Sequence, residues 1–280
     1  MNIGIVGLGL IGGSLALDLR ELNHYVLGVS RQAETCTLAQ DLGVVDQASV
    51  DLSILTQAEI VILATPIAAI APTLIQLIPH LSPHTIVTDV GSVKVSVVQT
   101  CSQLWHNFIG GHPMAGNIKQ GINAAQKGLF QGASYVITPI AQNTHENVEK
   151  LADLATSVGA KVYYCSPEHH DQAVAWISHL PVCVSASLID ACLQETIPEV
   201  SQLARQLASS GFRDTSRVGG GNVELGVMMA RYNREQILRA IASYQNSLTA
   251  ITEYIQQENW SALTAYLEKT QQARPDFLRD

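Results

Sequence analysis

The chain has 280 residues, 47% hydrophobic and only 14% charged, with a net charge of −8. That length allows two domains and a sizeable core, and so low a charge fraction implies extensive buried surface, a subunit interface included. The acidic balance argues against a nucleic-acid or membrane-surface partner but leaves room for an anionic small substrate held by a local cation.

In chain order, Asn2–Val6 is short, apolar and β-branched, and predicts a buried strand. Gly7, Gly9 and Gly12 follow as G-x-G-x-x-G, then a helical period over Ile11–Leu22 and a second strand at Tyr25–Val29. A Gly-rich turn alone is common. Between a strand and a helix it is the pattern of a dinucleotide site. Gly7 permits the turn, Gly9 opens the backbone to a pyrophosphate and Gly12 lets the helix pack close. The helix start at Leu10 and Ile11 offers free N–H groups. An NAD site usually carries an acid at the end of the second strand. Here Ser30 and Arg31 stand there, with Thr35 one turn on, a set suited to a 2′-phosphate. The alternative is Ser30 as a helix cap and Arg31 as solvated surface. Position favours the first reading, and the cofactor predicted is NADP.

Strands and helices keep alternating. Glu59–Ala64 predicts a strand ending at Thr65-Pro66, beside the cofactor, and Ile67–Ile78 a helix. Ile86–Asp89 predicts a strand ending in Val90-Gly91-Ser92, and Val93–Leu104 a helix. Phe108–Gly110 reads as a short strand before a loop, Gly111-His112-Pro113-Met114. Tyr135–Thr138 and Val162–Tyr164 are later strands flanking a helix over 144–158. This is a doubly wound, Rossmann-type α/β pattern. From Ser166-Pro167, an N-cap followed by proline at the first helical position, only helical periods remain: 168–207 with a break at Leu180-Pro181, 224–257 and 260–272. The expected organisation is a dinucleotide-binding domain over 1–165 and an all-α substrate and dimerisation domain over 166–280. The Ala/Leu-rich helical half is expected to pack against a second copy as a homodimer.

Ligands in this architecture sit at the carboxyl ends of parallel strands. His112, placed there and stiffened by Pro113, suits a general base, although a histidine satisfied inside a loop looks the same in sequence. Ser92 can orient it, or cap the following helix. Lys94 is either a solvated first-turn residue or a rival base. Met114 and Ser92 also fall within reach of the cofactor. In the helical half, Arg213 and Arg217 precede Gly219-Gly220-Gly221; arginine suits carboxylate binding and Gly221 permits close approach, while Arg213 can simply pair with Asp214. His179, at the expected helix break, reads as a substrate contact or a packed core histidine. Five unclustered cysteines, Cys36, Cys101, Cys165, Cys183 and Cys192, show no metal-ligand spacing and fit reduced thiols in a cytoplasmic protein. Neither a signal peptide nor a membrane span is expected.

Taken together, Gly7–Ser14, Asp89–Lys94, Gly111–Gly116, Ser178–Pro181 and Gly211–Arg217 resemble, in order, the prephenate/arogenate dehydrogenase family of tyrosine biosynthesis. The resemblance covers about residues 1–235. It implies an oxidative decarboxylation: hydride leaves the ring carbon bearing the hydroxyl, a base takes the hydroxyl proton, and the ring carboxylate departs as CO2. It makes His112 the base, Ser92 its assistant and Arg217 the anchor of a substrate carboxylate. Two departures bear on the substrate. Many prephenate-using members have histidine where Val182 stands, and often an acid-proline pair and a tryptophan where this chain has Asn222, Val223 and Gly226. With the NADP signature, these favour arogenate over prephenate. Hydroxyacid dehydrogenases and imine reductases of similar plan would be expected to carry a lysine on a helix after the first domain, and 167–240 contains none. A non-enzymatic NADP-sensing module is a further alternative, which would need neither His112 nor Arg217.

Overall fold

The computed structural model describes residues 1–117 and 119–278. Its eight strands are β1 (Asn2–Val6), β2 (Tyr25–Val29), β3 (Gln47–Ser49), β4 (Ile60–Leu63), β5 (Ile86–Asp89), β6 (Phe108–Pro113), β7 (Ser134–Thr138) and β8 (Lys161–Tyr164). They form one sheet in the order β3-β2-β1-β4-β5-β6-β7-β8, parallel except where β7 runs antiparallel to β6. Intervening helices are α1 (Leu10–Glu21), α2 (Ala33–Asp41), α3 (Ile67–Leu77), α4 (Val95–Leu104) and α5 (His145–Ser157).

β1, β2 and β4 read as nearly unbroken apolar runs because both faces of the sheet are covered there. Ile3, Ile5, Ile60 and Ile62 pack on one side with Leu15 and Leu19 of α1. Val61 and Leu63 pack on the other with Ile70, Leu74 and Val97 of α3 and α4. Chain order reverses direction across the sheet between β1 and β4, which opens a crevice at the carboxyl ends of those strands.

His112 lies inside β6, not in a loop after it. The expected short strand continues to Pro113 because β7 pairs with it antiparallel, His112 opposite Val136 and Gly111 opposite Ile137. Gly111 is required there: a Cβ would stand 2.8 Å from the Asp89 carbonyl oxygen and 2.9 Å from Thr88 Oγ1. Below it sits a buried ion pair. Lys94, expected on the surface or as a base, is 0% exposed and bonds the Asp89 carboxylate. Its ammonium also donates to the Gly111 carbonyl at 2.7 Å, while Asp89 Oδ1 accepts the Gly111 N–H at 3.2 Å.

Element type changes at residue 165. Beyond it come α6 (Pro167–Val174), a π-helical turn (Ala175–His179), α7 (Leu180–Leu193), α8 (Pro198–Leu207), α9 (Ser210–Ser216), a 3-10 turn (Arg217–Gly220), α10 (Val223–Tyr232), α11 (Arg234–Gln256) and α12 (Trp260–Phe277). The expected break at Leu180-Pro181 is instead a continuous helical path. Proline has no N–H and its ring crowds the carbonyl four residues back, and the wider π turn relieves both. By packing, the chain divides later than its element types do, into Met1–Asn233 and Arg234–Asp280. Residues 166–233 therefore belong with the sheet, for reasons that lie in the site. In the second unit, α11 and α12 meet through Tyr254 and Tyr266, rings 6.4 Å apart.

The run Pro167–Leu193 is long and apolar enough by length and composition to cross a membrane. Its polar residues His170, Asp171 and His179 are nevertheless buried and bonded within the protein.

Removing one partner of a buried ion pair leaves an uncompensated charge. Lys94→Met is expected to lower unfolding free energy by about 3–5 kcal/mol in a urea titration; a loss under about 1 kcal/mol, the scale of a surface pair, would contradict the burial argument.

Candidate active site

The crevice between β1, β2 and β4 is a cleft of about 730 Å³. Of the sequence-predicted cofactor residues, Gly7, Gly9, Ser30, Arg31, Thr35, Thr65 and Pro66 line it. Gly7 has φ +103°, and a Cβ there would strike the Ala64 carbonyl at 2.4 Å. Gly9 faces open space. Gly12 does not line the cleft; a Cβ on it would lie 2.0 Å from the Gly7 carbonyl, so it sets how closely α1 meets the loop. Leu10 and Ile11 also lie outside the lining, but their N–H groups precede the first intrahelical bond, from Gly13 to Gly9. No acid occupies the first turn of α1. That end therefore keeps free donors and a partial positive charge for a phosphate.

At the end of β2, Ser30 Oγ accepts the Gln32 N–H at 3.3 Å, and Gln32 takes the N-cap position of α2. Gln32, unnoticed in the sequence, lines the cleft beside Arg31. Thr65 Oγ1 is buried without a hydrogen-bond partner among the described residues. An orphaned hydroxyl and an open glycine are features a bound dinucleotide would satisfy.

Ser92 and His112 follow β5 and occupy β6, at the same carboxyl edge as the cleft. Neither Ser92 nor Met114 lines it. Ser92 does not cap α4. The Asp171 carboxylate does so from 77 residues away, accepting the Lys94 N–H at 2.7 Å and the Val95 N–H at 2.9 Å. This leaves Ser92 Oγ buried and unpartnered.

A polar chain runs inward from His112, which is 8% exposed. Its Nδ1 meets His170 Nε2 at 2.8 Å, and His170 Nδ1 meets Asp171 Oδ1 at 2.8 Å. The Asn233 amide donates to the Asp171 carbonyl at 2.8 Å and to His179 Nδ1 at 3.1 Å. His179 is 1% exposed, and its Nε2 has no partner among the described residues. Since Nδ1 accepts, Nε2 of the neutral ring carries the proton and is a donor without an acceptor. Sequence reasoning missed His170, Asp171 and Asn233. A signal existed: Pro167, His170, Asp171 and Val174 share the inner face of α6 at spacings of three and four, so two polar residues occupy core positions.

Burial sets the protonation states. It holds His112 well below the ordinary histidine range, with His170, Lys94 and His179 adding repulsion. Burial likewise lowers His170, against the pull of Asp171, and takes His179 down to about 4. The other substrate candidates make no hydrogen bond to this cluster among the described residues. Arg213 is 74% exposed and paired with Asp214, its structural alternative. Arg217 opens the 3-10 turn and makes no salt bridge among the described residues. Gly221 follows that turn, its N–H on the Val218 carbonyl at 3.2 Å. Gly219 lets the turn press on α7, since a Cβ would stand 2.6 Å from the Ala186 backbone nitrogen.

Comparison with known proteins agrees with this architecture. The family description "Prephenate dehydrogenase, nucleotide-binding domain" matches residues 15–164, and "Prephenate dehydrogenase, dimerization domain" matches 166–269. The chain belongs to the prephenate dehydrogenase family. Prephenate dehydrogenase of Bacillus subtilis is 33% identical, across 98% of this chain and 75% of that protein. The crystal structure of Synechocystis arogenate dehydrogenase is 52% identical, with a TM-score of 0.91 over 99% of this chain and 100% of that one. A. aeolicus prephenate dehydrogenase, in complex with hydroxyphenyl propionate and NAD+, is 29% identical, with a TM-score of 0.93 over 99% and 98% of the two chains. As a prephenate/arogenate dehydrogenase family member the protein is an oxidoreductase that uses a nicotinamide cofactor.

The three buried histidines make folding pH-dependent. In the unfolded chain each takes a proton near 6.5; in the folded protein each resists it. Their contribution is complete above pH 6.5 and is lost as pH falls from there toward the folded value, about 4 for His179. The urea midpoint is expected to drop between about pH 7.5 and pH 5, because the unfolded state binds more protons in that window; a flat midpoint would mean that these histidines take up protons as readily in the folded protein as in the unfolded chain.

Proposed function

We propose that this enzyme oxidises arogenate with NADP, releasing tyrosine and CO2. Arg31 and Ser30 at the cleft, where an NAD site carries an acid, are the observation that carries the cofactor reading. The likeness to an arogenate dehydrogenase at 52% identity supports the substrate. So does Val182 in place of a second histidine; a Cβ on Gly226, another departure from the prephenate pattern, would lie 4.0 Å from Val182 Cγ1.

A nicotinamide held at the cleft supplies the hydride acceptor. As hydride leaves the ring carbon, the hydroxyl O–H breaks and His112 Nε2 takes the proton. The carbon–carboxylate bond then breaks, its electron pair completes the aromatic ring, and CO2 departs. The resulting phenolate oxygen takes the proton back, so His112 ends neutral. Aromatisation drives the reaction, and the protein mainly aligns the reacting groups and holds one proton. Ser92 Oγ and His179 Nε2–H, both unpartnered among the described residues, are the donors we assign to the substrate. Arg217 is the cation we assign to a substrate carboxylate.

A homodimer through the helical half fits the matched dimerization domain. It also fits the exposed apolar residues Val200, Leu203 and Leu207 of α8 and Val223 and Val227 of α10. The five free thiols suit a reducing, cytoplasmic setting.

Initial rates of NADPH or NADH formation, with arogenate and prephenate offered in turn, test substrate and cofactor together. The highest kcat/KM is expected for arogenate with NADP; a higher value with NAD or with prephenate would reverse the corresponding assignment. Arg31→Ala is expected to weaken NADP binding selectively, by about 1–3 kcal/mol for a lost charged hydrogen bond.

For the base, His112→Asn is expected to lower kcat by about 10²–10⁴-fold. NADP affinity should be nearly unchanged, since the cleft is built from β1, β2 and β4. Near-normal turnover in this variant would remove His112 from the mechanism.

A further inference from the structure

We infer that His170, held by Asp171, fixes the tautomer of His112 and so keeps the lone pair of its Nε2 facing the substrate. This rests on His112 being the base. The Asp171 carboxylate is already committed as an acceptor. Oδ1 takes the Lys94 N–H at 2.7 Å and Oδ2 the Val95 N–H at 2.9 Å. It has no proton to offer His170. His170 Nδ1, 2.8 Å from Oδ1, must therefore be the donor.

A neutral His170 with its proton on Nδ1 has a bare Nε2. That nitrogen lies 2.8 Å from His112 Nδ1 and can only accept, so His112 carries its proton on Nδ1. The rings meet nearly edge to face, with planes 69° apart. The opposite arrangement needs a proton on both nitrogens of His170. That would place a cation in a buried position near Lys94, and burial itself disfavours the charged ring. Nothing in the relay has to move during turnover. The substrate proton binds Nε2 of His112 and leaves from there, and the Nδ1–H remains shared with His170 throughout. His170 and Asp171 are positioning residues. They touch no reacting atom.

Without an acceptor at position 170, His112 Nδ1–H would be left unpaired in a dry site. The ring then gains by moving its proton to Nε2, where it blocks the base. An aspartate that orients a catalytic histidine through the same nitrogen is known to act in this way.

The test is a set of variants assayed for kcat, for KM of substrate and cofactor, and for NADP binding as the check on folding. His170→Phe removes the acceptor and is expected to lower kcat by about 10- to 100-fold, below the roughly 10²–10⁴-fold of losing the base itself, with both KM values and NADP binding little changed. His170→Gln, whose side-chain carbonyl can accept from His112, is expected to recover most of the loss. If the Phe variant does not fold, His170→Asn takes its place, being too short to reach His112. In a His112→Asn background, His170→Phe is expected to cost nothing further, because it acts only through His112. A Gln variant as slow as the Phe variant, or an additive loss in the double variant, would overturn the relay. So would a His170→Phe enzyme at full kcat while His112→Asn is slow. Full kcat in His112→Asn would instead overturn the assignment of the base, which separates the two failures.

Discussion

The position of β6 governs this site, and a buried ion pair governs β6. Asp89 and Lys94 lie wholly inside the protein, and between them they bind both the N–H and the carbonyl of Gly111. His112 is the next residue. Burying two charges seldom adds net stability, because desolvation consumes most of the attraction. What such a pair contributes here is placement. A backbone segment gripped on both its polar groups cannot slide along its neighbour, and His112, one residue away, inherits that precision.

From that anchor the polar network extends into the helical half. Asp171 caps α4 with its side chain and binds Asn233 through its carbonyl. One residue thus holds the helix that carries Lys94, the histidine behind His112 and the asparagine that orients His179. Every buried polar atom must find a partner or cost free energy. These bonds therefore bind residues 166–233 to the sheet as firmly as they shape the site. Five buried side-chain atoms lack a partner among the described residues: Thr65 Oγ1, Ser92 Oγ and His179 Nε2, on residues assigned to cofactor or substrate from sequence, and Asp18 Oδ2 and Ser96 Oγ, on residues with no such assignment.

The two ends of the site are built on different physics. At the cleft, recognition rests on backbone: an open glycine, a helix start without an acid, and a turn in a left-handed conformation at Gly7. Around His112 it rests on side chains whose protonation is set by burial and by one another. A backbone site tolerates change in the side chains near it, whereas a chain of hydrogen bonds fails at any link.

The sequence by itself determined the alternation of strands and helices in the first half, the dinucleotide loop and the exchange of an acid for Ser30 and Arg31, and it marked His112 as a candidate base. These are local signals: apolar periodicity, glycine spacing and residue type at a strand end are all written within a few tens of residues. It could not show that His112 lies within a strand, since that depends on β7 returning antiparallel more than twenty residues later. Nor could it show that Lys94 is buried, that Ser92 gives up its capping role to Asp171, or that Pro181 is absorbed by a π turn. His170 and Asp171 sat in plain view on α6 as polar residues in core positions, but their meaning needed partners 58 and 77 residues away. Hydrogen bonds across such separations leave no periodicity in the chain, and only the tertiary structure decided which groups they join.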